Sequence, residues 1–193
     1  FGPDTTLLSG GEIVVAIAAG DLNGDGKLDI AAAVQNNASV IVLLGAGDGT
    51  FASPVSYPGA RGPRAIAVSD LNGDGSPDLA VLDYCPASDC NQGQVSILLG
   101  SSAGTFTSAG AYAVGTQPES LALADFDGDG KTDLAVGNAL CQGSCYYYGG
   151  SLSIMTGNGD GTFDPQIVVQ SDYSSRFRAL SVVFTRPPHR AEA

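Results

Sequence analysis

Histidine and basic residues are scarce in this chain. Its 193 residues include one histidine, His189, and eight lysines and arginines against 20 aspartates and glutamates, a formal net charge of −12. A single histidine in a segment of prolines and arginines argues against a catalytic triad or a Cys-His pair. So few basic side chains, without a basic stripe, argue against binding to nucleic acid or to anionic membranes. No apolar run reaches the 18 residues of a membrane span.

The sequence also lacks an initiator methionine and a visible signal peptide, and it starts in the middle of a pattern that recurs later. We therefore expect the chain to be a processed or excerpted piece of a longer protein.

Aspartate, asparagine and glycine, by contrast, recur in three nine-residue runs at 21–29, 70–78 and 125–133, here called loops 1, 2 and 3. Each loop has oxygen-bearing side chains at positions 1, 3, 5 and 9 and a glycine at position 6. Ca²⁺ prefers six to eight oxygen ligands, and a glycine allows the sharp turn that folds them around the ion. The sequence therefore predicts three Ca²⁺ sites, with position 7 contributing its backbone carbonyl. The predicted ligands are Asp21, Asn23, Asp25, Lys27 and Asp29; Asp70, Asn72, Asp74, Ser76 and Asp78; and Asp125, Asp127, Asp129, Lys131 and Asp133.

The EF-hand, which begins with the same pattern, is the alternative interpretation. It requires a glutamate at position 12 and a helix on each side. Position 12 is Ala32, Val81 or Val136, and short apolar runs typical of buried strands flank the loops. We therefore expect each loop to join two strands.

The repeat extends beyond the loops. Each loop is followed by a second apolar strand that ends in glycine, and then by a Gly-Thr-Phe turn that ends at residue 51, 106 or 163. Asp-Gly in the first and third turns predicts a type I′ hairpin, with positive φ at both central residues. Four short strands per unit and a period near 50 predict an all-β fold of β-propeller blades, about three and a quarter in number. The apolar composition predicts that both faces of each four-stranded antiparallel sheet are buried.

In these features the chain resembles the FG-GAP/VCBS repeat family, the calcium-loop blades of integrin α-subunits and of many secreted bacterial proteins. The resemblance covers residues 1–184, with an incomplete fourth unit from about 178, and residues 185–193 are predicted to be a disordered tail. It implies a secreted or cell-surface module without catalytic activity, with structural Ca²⁺, that serves cell adhesion or binds a protein or carbohydrate ligand. Two alternatives are an accessory, non-catalytic propeller of a secreted polysaccharide-active enzyme and a purely architectural surface repeat.

Two local cysteine pairs stand between the second and third strands of their units. Cys85 with Cys90, and Cys141 with Cys145, are predicted to form two small disulfides in an oxidising compartment. The alternative is a metal site of four cysteines from neighbouring loops.

The remaining polar and aromatic residues give weaker signals. Tyr146, Tyr147 and Tyr148 follow a cysteine directly, so they either contact a ligand or pack on their own blade. Asp48 and Asp160 stand where turns favour aspartate. Four of the remaining acids have no mutual spacing and are interpreted as solvated loop charges: Asp83, Asp89, Glu119 and Asp164.

The blade count has a consequence for assembly. Propellers ordinarily close with about four to eight blades, so a shorter arc exposes the apolar faces of its end blades. We therefore expect either self-association or the presence of further blades in a larger propeller.

Overall fold

The computed structural model describes residue 8 and residues 11–59, 61–84, 92–139 and 150–170. Over these ranges the chain forms twelve β-strands and no helix, which confirms the predicted all-β class. It follows that none of the described residues belongs to a helix long and apolar enough to cross a membrane. The strands are β1 (Val14–Gly20), β2 (Asp29–Val34), β3 (Ser39–Leu43), β4 (Val55–Pro58), β5 (Pro63–Ser69), β6 (Asp78–Asp83), β7 (Gln94–Gly100), β8 (Phe106–Ala113), β9 (Pro118–Ala124), β10 (Asp133–Ala139), β11 (Gly150–Met155) and β12 (Ile167–Gln170).

The strands form three four-stranded sheets, each built from consecutive strands that pair antiparallel in chain order. We name them blade 1 (β1–β4), blade 2 (β5–β8) and blade 3 (β9–β12). The first strands of successive blades, β1, β5 and β9, contact one another. This arrangement confirms the prediction of partial propeller blades.

The middle strands of each blade are largely buried on both faces, as their apolar composition predicted. The outer strands β1, β4 and β8 are mostly exposed, so the prediction that the whole of each sheet is buried was wrong. Every residue of β3 and β6 is buried, and β2 has one half-buried residue. On β6, Leu79 and Val81 join a hydrophobic cluster with blade 1, while Ala80 and Leu82 join a second cluster with blade 3. Alternate side chains of β6 therefore face blade 1 and blade 3, and neither set faces solvent.

The phenylalanine of the Gly-Thr-Phe turn stabilises each of these blade contacts. Phe106 packs edge-to-face on Tyr57 of blade 1 at 5.5 Å between ring centroids, and Phe163 packs on Tyr112 of blade 2 at 5.3 Å. Such pairs contribute about 0.5–1.5 kcal/mol beyond the area they bury.

The Asp-Gly turns differ from the prediction. In blade 1 the positive φ angles are at Gly47 and Gly49, and Asp48 lies between them without one, so the turn is not type I′. A longer turn forms instead, closed by a bond from Ala46 N–H to the Thr50 carbonyl. The carboxylate of Asp48 accepts hydrogen bonds from both the N–H and the hydroxyl of Thr50. These local bonds explain why aspartate occurs here.

Several predicted features lie outside the described residues. They are the incomplete fourth unit from about 178, the tail 185–193, the cysteines at 85, 90, 141 and 145, and the tyrosines at 146–148.

Candidate metal centres

Each loop connects the first and second strands of its blade, as predicted. Position 9 is the first residue of the second strand, and the other eight positions precede that strand. The three loops therefore occupy equivalent places at the same end of the three blades.

The aspartate at position 1 organises the first half of every loop. Its carboxylate accepts the N–H groups of positions 4 and 6 at 2.6–2.9 Å in all three loops. Both donors are glycines with positive φ, which curls the backbone so that these N–H groups reach the carboxylate. In loop 1 the N–H of Gly26 is the main cause of a lowered pKa of Asp21, which stays ionised at neutral pH.

Positions 3 and 5 continue the same pattern. The side-chain oxygen at position 3 accepts the N–H of position 5 at 3.0–3.1 Å in each loop. The carboxylate at position 5 accepts the N–H of position 7 at 2.7–2.9 Å. Because these bonds use one oxygen and one lone-pair direction each, the side chains keep acceptor capacity for a cation.

The aspartate at position 9 is fully buried in every loop. The sequence pattern predicted this residue as a Ca²⁺ ligand and did not predict its burial. One oxygen accepts the N–H of position 2 at 2.7–2.8 Å. The other accepts, at 2.7–2.8 Å, the N–H of the glycine that follows the core of the third strand: Gly45, Gly100 or Gly157. Burial, the largest cause, raises the pKa of Asp78 above its usual value. Position 9 therefore joins the two ends of its loop to the third strand.

That strand-ending glycine is a site residue that sequence reasoning missed. A Cβ at Gly45, Gly100 or Gly157 would lie 2.0–2.2 Å from the carbonyl oxygen of loop position 8, so only glycine fits. Its recurrence at the end of each third strand is the sequence signal that could have identified it.

Position 5 differs between the loops. Lys27 Nζ lies 3.5 Å from a carboxylate oxygen of Asp25, and Lys131 Nζ lies 2.9 Å from one of Asp129. The hydrogen bond to Asp129 is the main cause of a raised pKa of Lys131. In loop 2 the second oxygen of Asp74 instead accepts the amide of Asn72 at 3.0 Å.

Loop 3 brings three carboxylates close together. One oxygen each of Asp125, Asp127 and Asp133 lies within 4.8 Å of the others, a spacing that could hold a metal ion. Loops 1 and 2 have asparagine at position 3, which offers a neutral oxygen in the same hydrogen-bonding role. Hard oxygen donors, a tight backbone turn and clustered carboxylates together fit a hard divalent cation such as Ca²⁺.

Each of the first two loops also contacts the turn of the following blade. The N–H of Gly161 in blade 3 donates to the carbonyl of Leu71 in loop 2 at 3.1 Å. A Cβ at Gly161 would lie 2.9 Å from Leu99 and 3.6 Å from Asn72, and one at the equivalent Gly104 would lie 3.1 Å from Asn23 of loop 1.

One acid outside the loops corrects the sequence interpretation. Asp83, expected to be a solvated loop charge, is fully buried at the end of β6, on the face toward blade 1. One oxygen accepts the hydroxyl of Ser96 at 2.7 Å and the amide of Gln94 at 3.2 Å, while the other has no partner. Burial raises the pKa of Asp83 to about 6. The equivalent residue in blade 3 is the neutral, buried Asn138.

Comparison with known proteins identifies the family. No curated protein matches the chain. A family model described as FG-GAP-like repeat matches residues 21–81 and 82–136, more than half of the sequence. The first match includes loops 1 and 2, and the second includes loop 3. The chain therefore belongs to the FG-GAP-like repeat family.

Proposed function

We propose that this chain is a calcium-binding β-propeller module in which each of the three loops holds one Ca²⁺ ion in a structural role. The observation that carries the proposal is the recurrence of the same six hydrogen bonds in all three loops, with a buried aspartate at position 9. Membership in the FG-GAP-like family supports it.

In such a site, some loop groups would bind the ion and others would position them. Positions 1, 3, 5 and 9 would provide side-chain oxygens, and position 7 its carbonyl. Bound Ca²⁺ would supply positive charge to carboxylates that otherwise repel one another. The position 9 aspartate ties the loop to the third strand, and the glycine N–H groups fix the carboxylate of position 1. Charge neutralisation in the loop would therefore stabilise the contact between the first three strands of a blade.

Isothermal titration of calcium-free protein with Ca²⁺ tests this proposal. We expect three sites, with dissociation constants on the order of 10⁻⁴ to 10⁻³ M or somewhat tighter. Asp74→Ala and Asp129→Ala should each remove one site and leave two. Asp164→Asn, an exposed acid outside the loops, is the matched control and should keep three. The absence of binding heat, or three sites in Asp129→Ala, would contradict the proposal.

The cellular context and the partner are further parts of the proposal. FG-GAP repeats are typically extracellular, and affinities in this range suit extracellular calcium. We propose a secreted or surface module without catalytic activity that binds a protein or a carbohydrate. A glycan array probed in Ca²⁺ and in EDTA distinguishes carbohydrate binding from a protein-binding or purely architectural role. An attached catalytic domain in the parent gene would favour the accessory module of a polysaccharide-active enzyme.

One face of blade 1 supports self-association. Leu44, directly after β3, and Leu99, near the end of β7, pack against Gly104 and Gly161 of the following blade. At the equivalent Gly49, no heavy atom of the described residues lies within 4 Å of the Cβ position. Beside it is an open groove of about 450 Å³ whose lining includes Leu28, which is 70% exposed, and Phe51. Within the described part of the chain, no leucine packs in this groove as Leu44 and Leu99 pack at the equivalent places of the next two blades.

The occupant we propose is the third blade of a second copy of the chain. Blade 3 has Thr156 at the place of the packing leucine, so Thr156→Leu should strengthen association and Leu28→Ser should weaken it. Light scattering in Ca²⁺ should show a concentration-dependent dimer. A monomer at high concentration, unchanged by Thr156→Leu, would contradict self-association.

A further inference from the structure

The two lysines of the whole sequence, Lys27 and Lys131, both stand at position 7 of a calcium loop. Position 7 would bind a cation through its carbonyl, so its side chain is not required for binding. In loop 2 the same position is Ser76. The lysine side chains therefore have a role other than that of a calcium ligand.

Each lysine pairs with a carboxylate that calcium binding would require. The ammonium of Lys131 lies 2.9 Å from Asp129, and that of Lys27 lies 3.5 Å from Asp25. An ammonium and Ca²⁺ are both attracted to this position 5 carboxylate, so binding of the ion must displace or weaken the ion pair. The described residues contain no ion pair at Asp74 of loop 2.

The aliphatic part of each lysine side chain lies against a glycine of the following turn. A Cβ at Gly47 would lie 3.0 Å from a methylene of Lys27, and one at Gly159 would lie 2.9 Å from a methylene of Lys131. The next residues in these turns are Asp48 and Asp160, each close enough for the charge of its lysine to act on it.

Hydrogen bonds from Thr162 are the main cause of a lowered pKa of Asp160, and the charge of Lys131 makes a smaller contribution in the same direction. Blade 2 lacks all three parts, with Ser76, Ser102 and Ala103 in place of the lysine, glycine and aspartate.

We propose that Lys27 and Lys131 are internal counter-ions that occupy the position 5 carboxylate in the calcium-free loop and transfer to Asp48 and Asp160 when the cation binds. Loops 1 and 3 then bind Ca²⁺ more weakly than the same loops without lysine, while loop 2 has no such competition. This inference rests on the proposed calcium binding. According to this inference, the residue at position 7 sets the Ca²⁺ affinity of its loop, and exchanging lysine and serine between loops should exchange their affinities.

A site-resolved titration tests the inference. The amide signals of the position 6 glycines, Gly26, Gly75 and Gly130, report on each loop separately in ¹H–¹⁵N spectra of the full chain titrated with Ca²⁺. Lys131→Ser should tighten binding at loop 3 by roughly two- to fivefold, the range that exposed ion pairs allow. It should leave loop 2 unchanged. Ser76→Lys should weaken loop 2, and Lys131→Arg, which keeps the charge, should resemble the unmodified chain.

The second carboxylate gives an independent arm of the test. Asp160→Asn removes the acceptor for the displaced ammonium, so it should weaken loop 3 in the normal chain and have a smaller effect in the Lys131→Ser background. Calcium binding at all three loops without any change in Lys131→Ser would overturn the counter-ion inference alone. If no glycine signal responds to Ca²⁺, the proposed function fails as well.

Discussion

The buried carboxylate at position 9 has a role that does not depend on its being a ligand. Both of its oxygens accept backbone N–H groups, one from position 2 and one from the glycine after the third strand. Its removal leaves two buried N–H groups without a partner, and each such loss costs about 1–3 kcal/mol. Position 9 therefore belongs to the fold of the blade as well as to the proposed metal site, whereas position 5, which is exposed, belongs to the site alone.

The buried carboxylate of Asp83 destabilises the folded chain when it is ionised. It is buried at the contact of blades 1 and 2, with one carboxylate oxygen lacking a partner. Burial raises its pKa from 3.8 to about 6. Between these two values the folded chain keeps a proton that the unfolded chain has lost, so the stability from this group falls as pH rises through that window and stays low above it.

We therefore predict that Asp83→Asn stabilises the chain at pH 7.5 by about 1–3 kcal/mol, an advantage that disappears below about pH 4. Asparagine already occupies the equivalent position in blade 3, at residue 138. Urea unfolding of both proteins across this pH range, in excess Ca²⁺, measures the difference. Asp164→Asn, at an exposed position, should change stability by less than about 0.5 kcal/mol at every pH. An Asp83→Asn variant that is less stable than the original at pH 7.5 would contradict the assignment of a buried, destabilising charge.

At the scale of strands and loops, the sequence predicted the order of elements because the local signals agree. Apolar runs, turn residues and the loop pattern recur together, which placed a loop between the first two strands of each blade. The environment of single positions was harder to predict. On β6 both faces are buried, so alternation gives no sign that Asp83 is inside, and its place at the end of an apolar run resembles the start of a loop.

The contacts between blades were also beyond the sequence. The approach of Gly104 to Asn23, and the bond from Gly161 to Leu71, join residues that are distant in the chain. A glycine in a turn is expected for its backbone freedom alone, so its second role as a contact surface has no separate local signal. The site was thus predictable as a pattern of ligands, while the groups that hold the ligands were not.

The packing of the blade 3 turn on blade 2 gives a prediction at the scale of strands and loops. Gly161 and Gly49 occupy equivalent turn positions with φ angles of +83° and +90°, so alanine is strained at both. At Gly161 the added methyl would also meet Leu99 at 2.9 Å, whereas at Gly49 it would meet no described residue within 4 Å. We expect Gly161→Ala to destabilise the chain by about 1 kcal/mol more than Gly49→Ala, since overpacking adds to the backbone strain. Paired urea unfolding curves provide the measurement, and equal losses would show that the contact of the blade 3 turn with Leu99 of blade 2 does not limit the residue at 161.

At the scale of the whole molecule, charge and architecture are linked. Ten of the 20 acidic residues stand in the three loops, and three Ca²⁺ ions would balance half of the formal net charge of −12. Without a cation, three or four carboxylates crowd each loop, and loops 1 and 2 contact the turn of the following blade. The account therefore predicts that the stability of the entire arc depends on calcium, more than on any single contact within a blade.

Thermal unfolding in excess EDTA and in 10 mM CaCl₂ tests this central claim most directly, with NaCl of equal ionic strength and 10 mM MgCl₂ as controls. Binding at 10–100 times the dissociation constant contributes about 1.4–2.7 kcal/mol per site. Three sites should therefore raise the melting temperature of a chain of this size by roughly 10 °C or more. Neither NaCl nor MgCl₂ should reproduce the full increase, because Mg²⁺ demands a smaller, more rigid octahedral site. A melting temperature in CaCl₂ equal to that in EDTA would contradict the account.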